Sequence, residues 1–255
     1  MQTGAEELYI SLRTVFVAAV GFMVGALTGL TGVGIGSLTM PLIAYMFGLS
    51  ANRARGTAMT LMLAAALPSV IIYTKAGYMD WAPAGLAALG MVAGAIIGTR
   101  LTIGKNRSVF RRLVALVLAA AGIYIAVVSS GQPGSSAISI LQGLTIGFGA
   151  GLIGGMASVA GGALLIPALV VFLAVPQKLA QAVALAVIIP ASLPLVMLYY
   201  IGNRADRKIM LQLAAGGALG ACAGTAAAIN MPVPLLMVVF GAFSAVIAAI
   251  TFKKG

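Results

Sequence analysis

Few groups in this chain could do chemistry, and two glycine-rich segments stand out among them: GLTGVGIGSLTMP at 29–41 and GMASVAGGALLIP at 155–167. Most catalytic side chains are missing. The sequence has no histidine, one cysteine (Cys222) and four carboxylates (Glu6, Glu7, Asp80 and Asp206), and the carboxylates all fall at terminal or inter-segment positions. A membrane enzyme would need general acids, bases or metal ligands inside its apolar runs. The chain is therefore read as not an enzyme, with no cofactor and no metal site. A cation carrier is disfavoured for the same reason, because no carboxylate lies where it could neutralise the ion or relay protons.

What the two glycine segments can hold is an anion. Glycine tolerates the positive φ of a tight turn and lets backbone come close to a ligand. A helix restarting after Gly36 or Gly162 presents unpaired N–H groups and a positive dipole end. The expected substrate-binding residues are Thr31, Gly32, Gly34, Gly36 and Ser37 on the first segment and Ser158, Gly161 and Gly162 on the second, with Thr57 near the start of the following helix. The hydroxyls of Thr31, Ser37, Thr39 and Ser158 either donate to the anion or bond back to their own helix.

The elements that must position these residues are membrane spans. Of 255 residues, 62% are hydrophobic and 7% charged, where a soluble domain carries roughly 25% charged. Charge-free runs cover 14–52, 56–74, 81–99, 113–177, 179–203 and 209–252, each at least about one ~20-residue span. Glu6 and Glu7 sit where a signal peptide would be positive, so the chain is expected to be uncleaved. Cys222, inside an apolar run, reads as a small packed residue. The excess of 15 Lys and Arg over 4 acids lies in short connections between spans. That is a topological signal and predicts no nucleic-acid partner.

The sequence is duplicated. Shifted by 126 positions, Gly21–Ile103 aligns without a gap on Gly147–Ile229, and the matches fall on structural punctuation. Gly21, Gly25 and Gly29 meet Gly147, Gly151 and Gly155; Pro41 and Pro68 meet Pro167 and Pro194; Gly90, Gly94, Gly98 and Thr99 meet Gly216, Gly220, Gly224 and Thr225. This divides the chain into a first repeat at 1–128, a linker at 129–136 containing SSGQPGSS, and a second repeat at 137–255. Each repeat holds a long first region followed by three ordinary spans. As one helix, the 39-residue run 14–52 would be about 58 Å long, twice the ~30 Å hydrocarbon core, so it must break or fold back.

The positive charges choose between the two. With a single crossing of each first region, the better orientation leaves eight Lys and Arg inside and seven outside. With an in-and-return hairpin, thirteen are cytoplasmic, including Arg13, Arg53, Arg55, Arg100 and Lys253, and only Lys75 and Lys178 remain outside. The positive-inside rule selects the hairpin. Three crossings per repeat then invert the second repeat relative to the first, which is a transporter architecture. The predicted fold class is all-α: a polytopic transmembrane helical bundle of two inverted-topology repeats, each a broken or re-entrant hairpin plus three spanning helices.

These features together resemble the TauE/SafE family of sulfite exporters and related permeases over nearly the full chain. The resemblance rests on the paired segments GVGIGSLTMP and SVAGGALLIP, on ARGT at 54–57, and on the G-x-x-x-G-T ends at 94–99 and 220–225. It implies export of sulfite, an organosulfonate or a similar small anion through a bacterial inner membrane. The second repeat departs from the pattern, with AQAV at 180–183 in place of ARGT, and Ile35 stands where the other tip has Gly161. The expected partners are the small anion and the lipid bilayer, with a homodimer left open. An anion channel of the same architecture also stays open, since sequence alone does not separate a gated path from alternating access. The topology predicts that a reporter fused after Gln132 reads periplasmic and one fused after Lys254 reads cytoplasmic; the reverse pair would overturn it.

Overall fold

The structure is a computed structural model that describes residues 2–34, 36–102, 108–127, 139–157, 161–201 and 207–253. Regular structure among them is entirely helical: α1 (Gln2–Thr31), α2 (Gly36–Phe47), α3 (Ala51–Lys75), α4 (Trp81–Leu101), α5 (Ser108–Val127), α6 (Ile140–Ala157), α7 (Gly161–Leu173), α8 (Gln177–Ile201), α9 (Arg207–Asn230) and α10 (Val233–Lys253). Shifting α3 by 126 reproduces the bounds of α8, and α4 and α9 begin in the same register. The described residues include six helices, α1, α3, α4, α8, α9 and α10, that are long and apolar enough to cross a membrane. Met23, Leu89 and Leu219 are about two-thirds exposed (65%, 65% and 68%). Bare apolar surface of this extent, spread over the outside of the bundle, suits a lipid environment. The chain is a multi-pass membrane protein.

The first region of the first half breaks where glycine allows it, and in the second half α6 ends at Ala157 and α7 begins at Gly161. α1 stops at Thr31, and Gly32 turns the chain at φ +70, a conformation costly for any residue with a Cβ. The limb after the break is short: α2 has 12 residues and α7 has 13, about 18 and 20 Å, too short to cross a ~30 Å core. In the first half that limb folds back, because Phe47 at the end of α2 packs edge-on against Phe16 near the start of the apolar stretch of α1, with centroids 6.5 Å apart. α1 itself runs from Gln2, so its helix begins well before the expected span at Thr14. The linker at 129–136 lies outside the described residues.

Two glycine-faced helix pairs hold the bundle together. On α1, Gly21, Gly25 and Gly29 face the backbone of Leu213, Gly217 and Ala221 on α9, while Gly216, Gly220 and Gly224 of α9 face Ala18, Phe22 and Ala26. Residue numbers rise together along the contact, so the helices are parallel. On the other side, Gly147, Gly151 and Gly155 of α6 face Ala87, Met91 and Ala95 of α4, and Gly90, Gly94 and Gly98 answer with Leu144, Phe148 and Leu152. Each contact of one pair becomes a contact of the other under the 126-residue shift. Each pair takes one helix from each half, so the halves are interleaved through their first and fourth helices. Lipid gives no hydrophobic drive to helix association, so this close backbone approach, with the dispersion contacts it permits, is what joins them.

Polar bonds then tie the same elements across the halves. Thr225 Oγ1 donates to Ser69 Oγ at 2.8 Å, joining α9 to α3, and Gln212 Nε2 donates to Thr14 Oγ1 at 3.1 Å, joining α9 to α1. α8 sits between two apolar cores, with Val183, Ala184 and Val187 in one and Ala182, Leu185 and Ile188 in the other. The glycine contacts predict a sharp contrast. At Gly25 an added Cβ would lie 2.7 Å from the Gly217 Cα, so Gly25→Ala must push the backbones of α1 and α9 apart and costs about 1–3 kcal/mol. At Gly85 the same methyl meets nothing within 4 Å, so Gly85→Ala is neutral or stabilising by up to about 1 kcal/mol. Thermal unfolding of the detergent-solubilised variants checks the order.

Candidate functional site

The turn after α1 meets the first turn of α7. A Cβ added at Gly34, in the turn after α1, would stand 2.9 Å from Ile188 Cδ1 and 4.0 Å from Met62 Sδ. One added at Gly162, in the first turn of α7, would stand 3.9 Å from the same Ile188 Cδ1 and 4.0 Å from the Gly34 backbone nitrogen. One side chain of α8 thus touches the tips of both halves, with α3 closing the third side through Met62. Absence of side chains at Gly34 and Gly162 leaves backbone exposed to that point. The N–H groups of the first turn of α7 have no intrahelical acceptor, and the dipole end there is positive. A non-helical backbone at membrane depth is tolerated only inside protein or beside a wet cavity, and the tips are inside protein.

The two helices that supply Met62 and Ile188 also carry buried polar atoms without partners. The Thr57 hydroxyl on α3, the Gln181 Nε2 and both amide atoms of Gln177 on α8 are buried and make no hydrogen bond. All three residues are 0% exposed. An orphaned buried polar group costs about 1–3 kcal/mol, so four such atoms in neighbouring helices signal that something polar is accommodated there. Gln181 is held on its other side, since the Tyr73 hydroxyl on α3 donates to its Oε1 at 2.8 Å. The Gly32 turn lies directly on Gln181, where an added Cβ would fall 2.8 Å from Gln181 Cβ and Cγ. Next to it, the Lys178 ammonium donates to the Ile229 carbonyl at the end of α9 and lies 5.3 Å from the Tyr78 ring centroid.

The residues expected from sequence fall into three groups. Gly32, Gly34 and Gly162 come together along α8, and Thr57 is buried on α3, the helix that supplies Met62. Gly36 and Gly161 begin α2 and α7, and Ser37 lies in the first turn of α2 with its side chain outside the described residues, as is Ser158 altogether. Thr31 bonds within its own helix end: its hydroxyl donates to the Leu27 carbonyl at 2.7 Å and accepts from the Val33 N–H at 3.3 Å, closing the end of α1. Outside that set, Arg53 and Arg55, counted as cytoplasmic charges, are in the opening turns of α3 and are exposed. Asp80 takes the N-cap position of α4 without a side-chain capping bond.

Sequence reasoning missed Gln177, Gln181 and Tyr73. A signal was present in the two glutamines four residues apart at the head of an otherwise apolar stretch, since polar side chains in a membrane helix turn toward protein or a cavity. Tyr73 gave no such signal, because tyrosine is equally at home at a membrane interface.

A family model described as "Sulfite exporter TauE/SafE" matches residues 3–125 and 143–255. A protein of Bacillus subtilis (strain 168), described as "Probable membrane transporter protein YunE", is 29% identical over 100 residues, covering 39% of this chain and 35% of that relative. The chain therefore spans about a third of that relative's length in the matched region. No solved structure matches. The family model covers both halves of the sequence and the glycine tips of each, and on that extent of match the chain belongs to the TauE/SafE sulfite exporter family.

Proposed function

We propose that the chain carries a small anion across the bacterial inner membrane, with sulfite or an organosulfonate as substrate class, by alternating access between two inverted repeats whose termini are cytoplasmic. The observation that carries this reading is the meeting of the Gly34 turn and the first turn of α7 at Ile188. Backbone N–H groups and the positive end of α7 favour an anion there, and the apolar walls at Ile188 and Met62 exclude competing water and strengthen each hydrogen bond made to it. Membership of the family supports the substrate class.

The inverted arrangement draws support from α3 and α8, which correspond under the 126-residue shift. Tyr73 near the end of α3 bonds Gln181 near the start of α8, while Met62, earlier in α3, and Ile188, later in α8, both lie at Gly34. Corresponding helices of the two halves thus run in opposite directions. This arrangement also sets Lys178 beside Tyr78, in the connection that follows Lys75. Those are the two lysines that the charge count leaves outside. A rocking of one bundle against the other would then expose the tips alternately to either side.

Purified protein in liposomes should move sulfite, sulfoacetate or a related anion with saturable, exchange-accelerated flux. Unitary currents would favour a channel, and no flux from a panel of sulfite, sulfate, sulfoacetate, taurine and thiosulfate would sink the reading. At Gly162 an added methyl makes ordinary contact with Ile188 at 3.9 Å. Gly162→Ala should therefore fold normally, while Gly162→Leu should stay monodisperse and lose at least about tenfold in initial rate, the equivalent of ~1.4 kcal/mol; normal flux in Gly162→Leu counts against the site. Thr57→Val keeps the side-chain shape and removes a hydroxyl with no protein partner, so its unfolding temperature should hold or rise. Its transport KM should increase about 3- to 10-fold if that hydroxyl meets the anion.

A further inference from the structure

Three of the orphaned polar atoms belong to one turn of α8, away from the meeting point of the tips. Gln177 and Gln181 are four residues apart and so share a helix face. Ile188 lies a further seven residues along, about 10 Å from Gln181 and about 16 Å from Gln177. Both glutamines are 0% exposed, and between them they leave two amide NH2 groups and one carbonyl oxygen without partners. The surrounding charge is positive. This is the N-terminal turn of α8, where the dipole is positive. Lys178 is 8% exposed, and its ammonium meets only a carbonyl and a ring face, with no ion pair to it among the described residues. Buried water could satisfy the amides. It would leave the charge unbalanced, and free donors outnumber free acceptors, so an anion fits the turn better than water does.

We infer that the first turn of α8 is a second binding site for a small oxyanion, in which the Gln177 and Gln181 amides donate to the ligand and Lys178 balances its charge; this rests on the anion-transport reading of the tips. Gln181 is aimed by Tyr73. With its Oε1 accepting from the Tyr73 hydroxyl, the amide presents its NH2 side to the ligand, and inverting it would turn the phenol oxygen into an acceptor and take the acceptor away from the phenol O–H. Tyr73 is thus a positioning residue, and the Gly32 turn, resting on the stem of Gln181, links occupancy of this turn to the first tip. An anion would pass between this site and the tips over about three turns of α8. Such a staging point lies at the end of the bundle where α3, α8 and α9 close together.

The test uses the full-length protein in nanodiscs with sulfate as probe, at ionic strength held constant with gluconate. Sulfate should raise the unfolding temperature of the wild-type protein, and no rise overturns the inference. Gln177→Met and Gln181→Met, which keep side-chain volume and remove the amide, should each weaken sulfate binding by equilibrium dialysis about tenfold, with Gln177→Leu and Gln181→Leu as second variants should either fail to fold. Tyr73→Phe should weaken it less, and the double variant Tyr73→Phe/Gln181→Met should be no weaker than Gln181→Met alone; additive losses would remove the positioning role. Unchanged binding in both glutamine variants means water alone fills the turn and refutes the site. If the wild-type protein transports sulfite while both variants keep its KM, the site falls and the transport function stands. If the protein transports nothing yet binds sulfate through the glutamines, the site stands and the transport function falls.

Discussion

Backbone-to-backbone contact between helices is the constraint on which the rest of this structure depends. A bundle in lipid gains little from burying leucine against leucine, because the acyl chains outside are as apolar as the core. What it can gain is close approach, and three glycines at four-residue spacing on each of α1, α4, α6 and α9 grant it. The contact is unforgiving, since a methyl group on either ridge would run into main chain rather than a movable side chain. It also fixes register. Gly21, Gly25 and Gly29 have one way of seating against Leu213, Gly217 and Ala221, and the second pair repeats that seating with the halves exchanged.

Both pairs seat the first helix of each half along a helix of the other half. The residues beside each break, Gly34 and Gly162, then lie in the interior of the bundle against Ile188 of α8. There the chain tolerates what membrane proteins usually avoid: a backbone turn at Gly32, bare main chain at Gly34 and Gly162, and buried hydroxyl and amide atoms with no internal partner. Each of these weakens the fold taken alone. Their concentration around two helices is the physical mark of a place shaped for something other than stability.

The halves are matched in architecture and different in chemistry. At the position where the second half buries Gln181, the first half exposes Arg55, and where the first half buries the Thr57 hydroxyl, the second has Val183. A duplicated scaffold supplies two equivalent tips. Divergence at these few positions leaves an exposed guanidinium in one half and, in the other, a buried amide bonded to Tyr73.

Much of this was legible in the chain itself. The apolar runs set an all-helical membrane fold, the 126-residue repeat of Gly21, Gly25, Gly29 and their partners marked the duplication, and the length of run 14–52 required a break near Gly32. Those conclusions need only local properties: run length against bilayer thickness, glycine against φ, charge against membrane side. The pairing of α1 with α9 and of α4 with α6 was beyond reach, because glycines every four residues say that a helix packs closely without saying against which partner. The site was legible by half. Glycine tips announce themselves through conformational freedom, a property of single residues. The roles of Gln177, Gln181 and Tyr73 depend on which atoms lack or find partners across helices more than one hundred residues apart, and only the tertiary structure decides that.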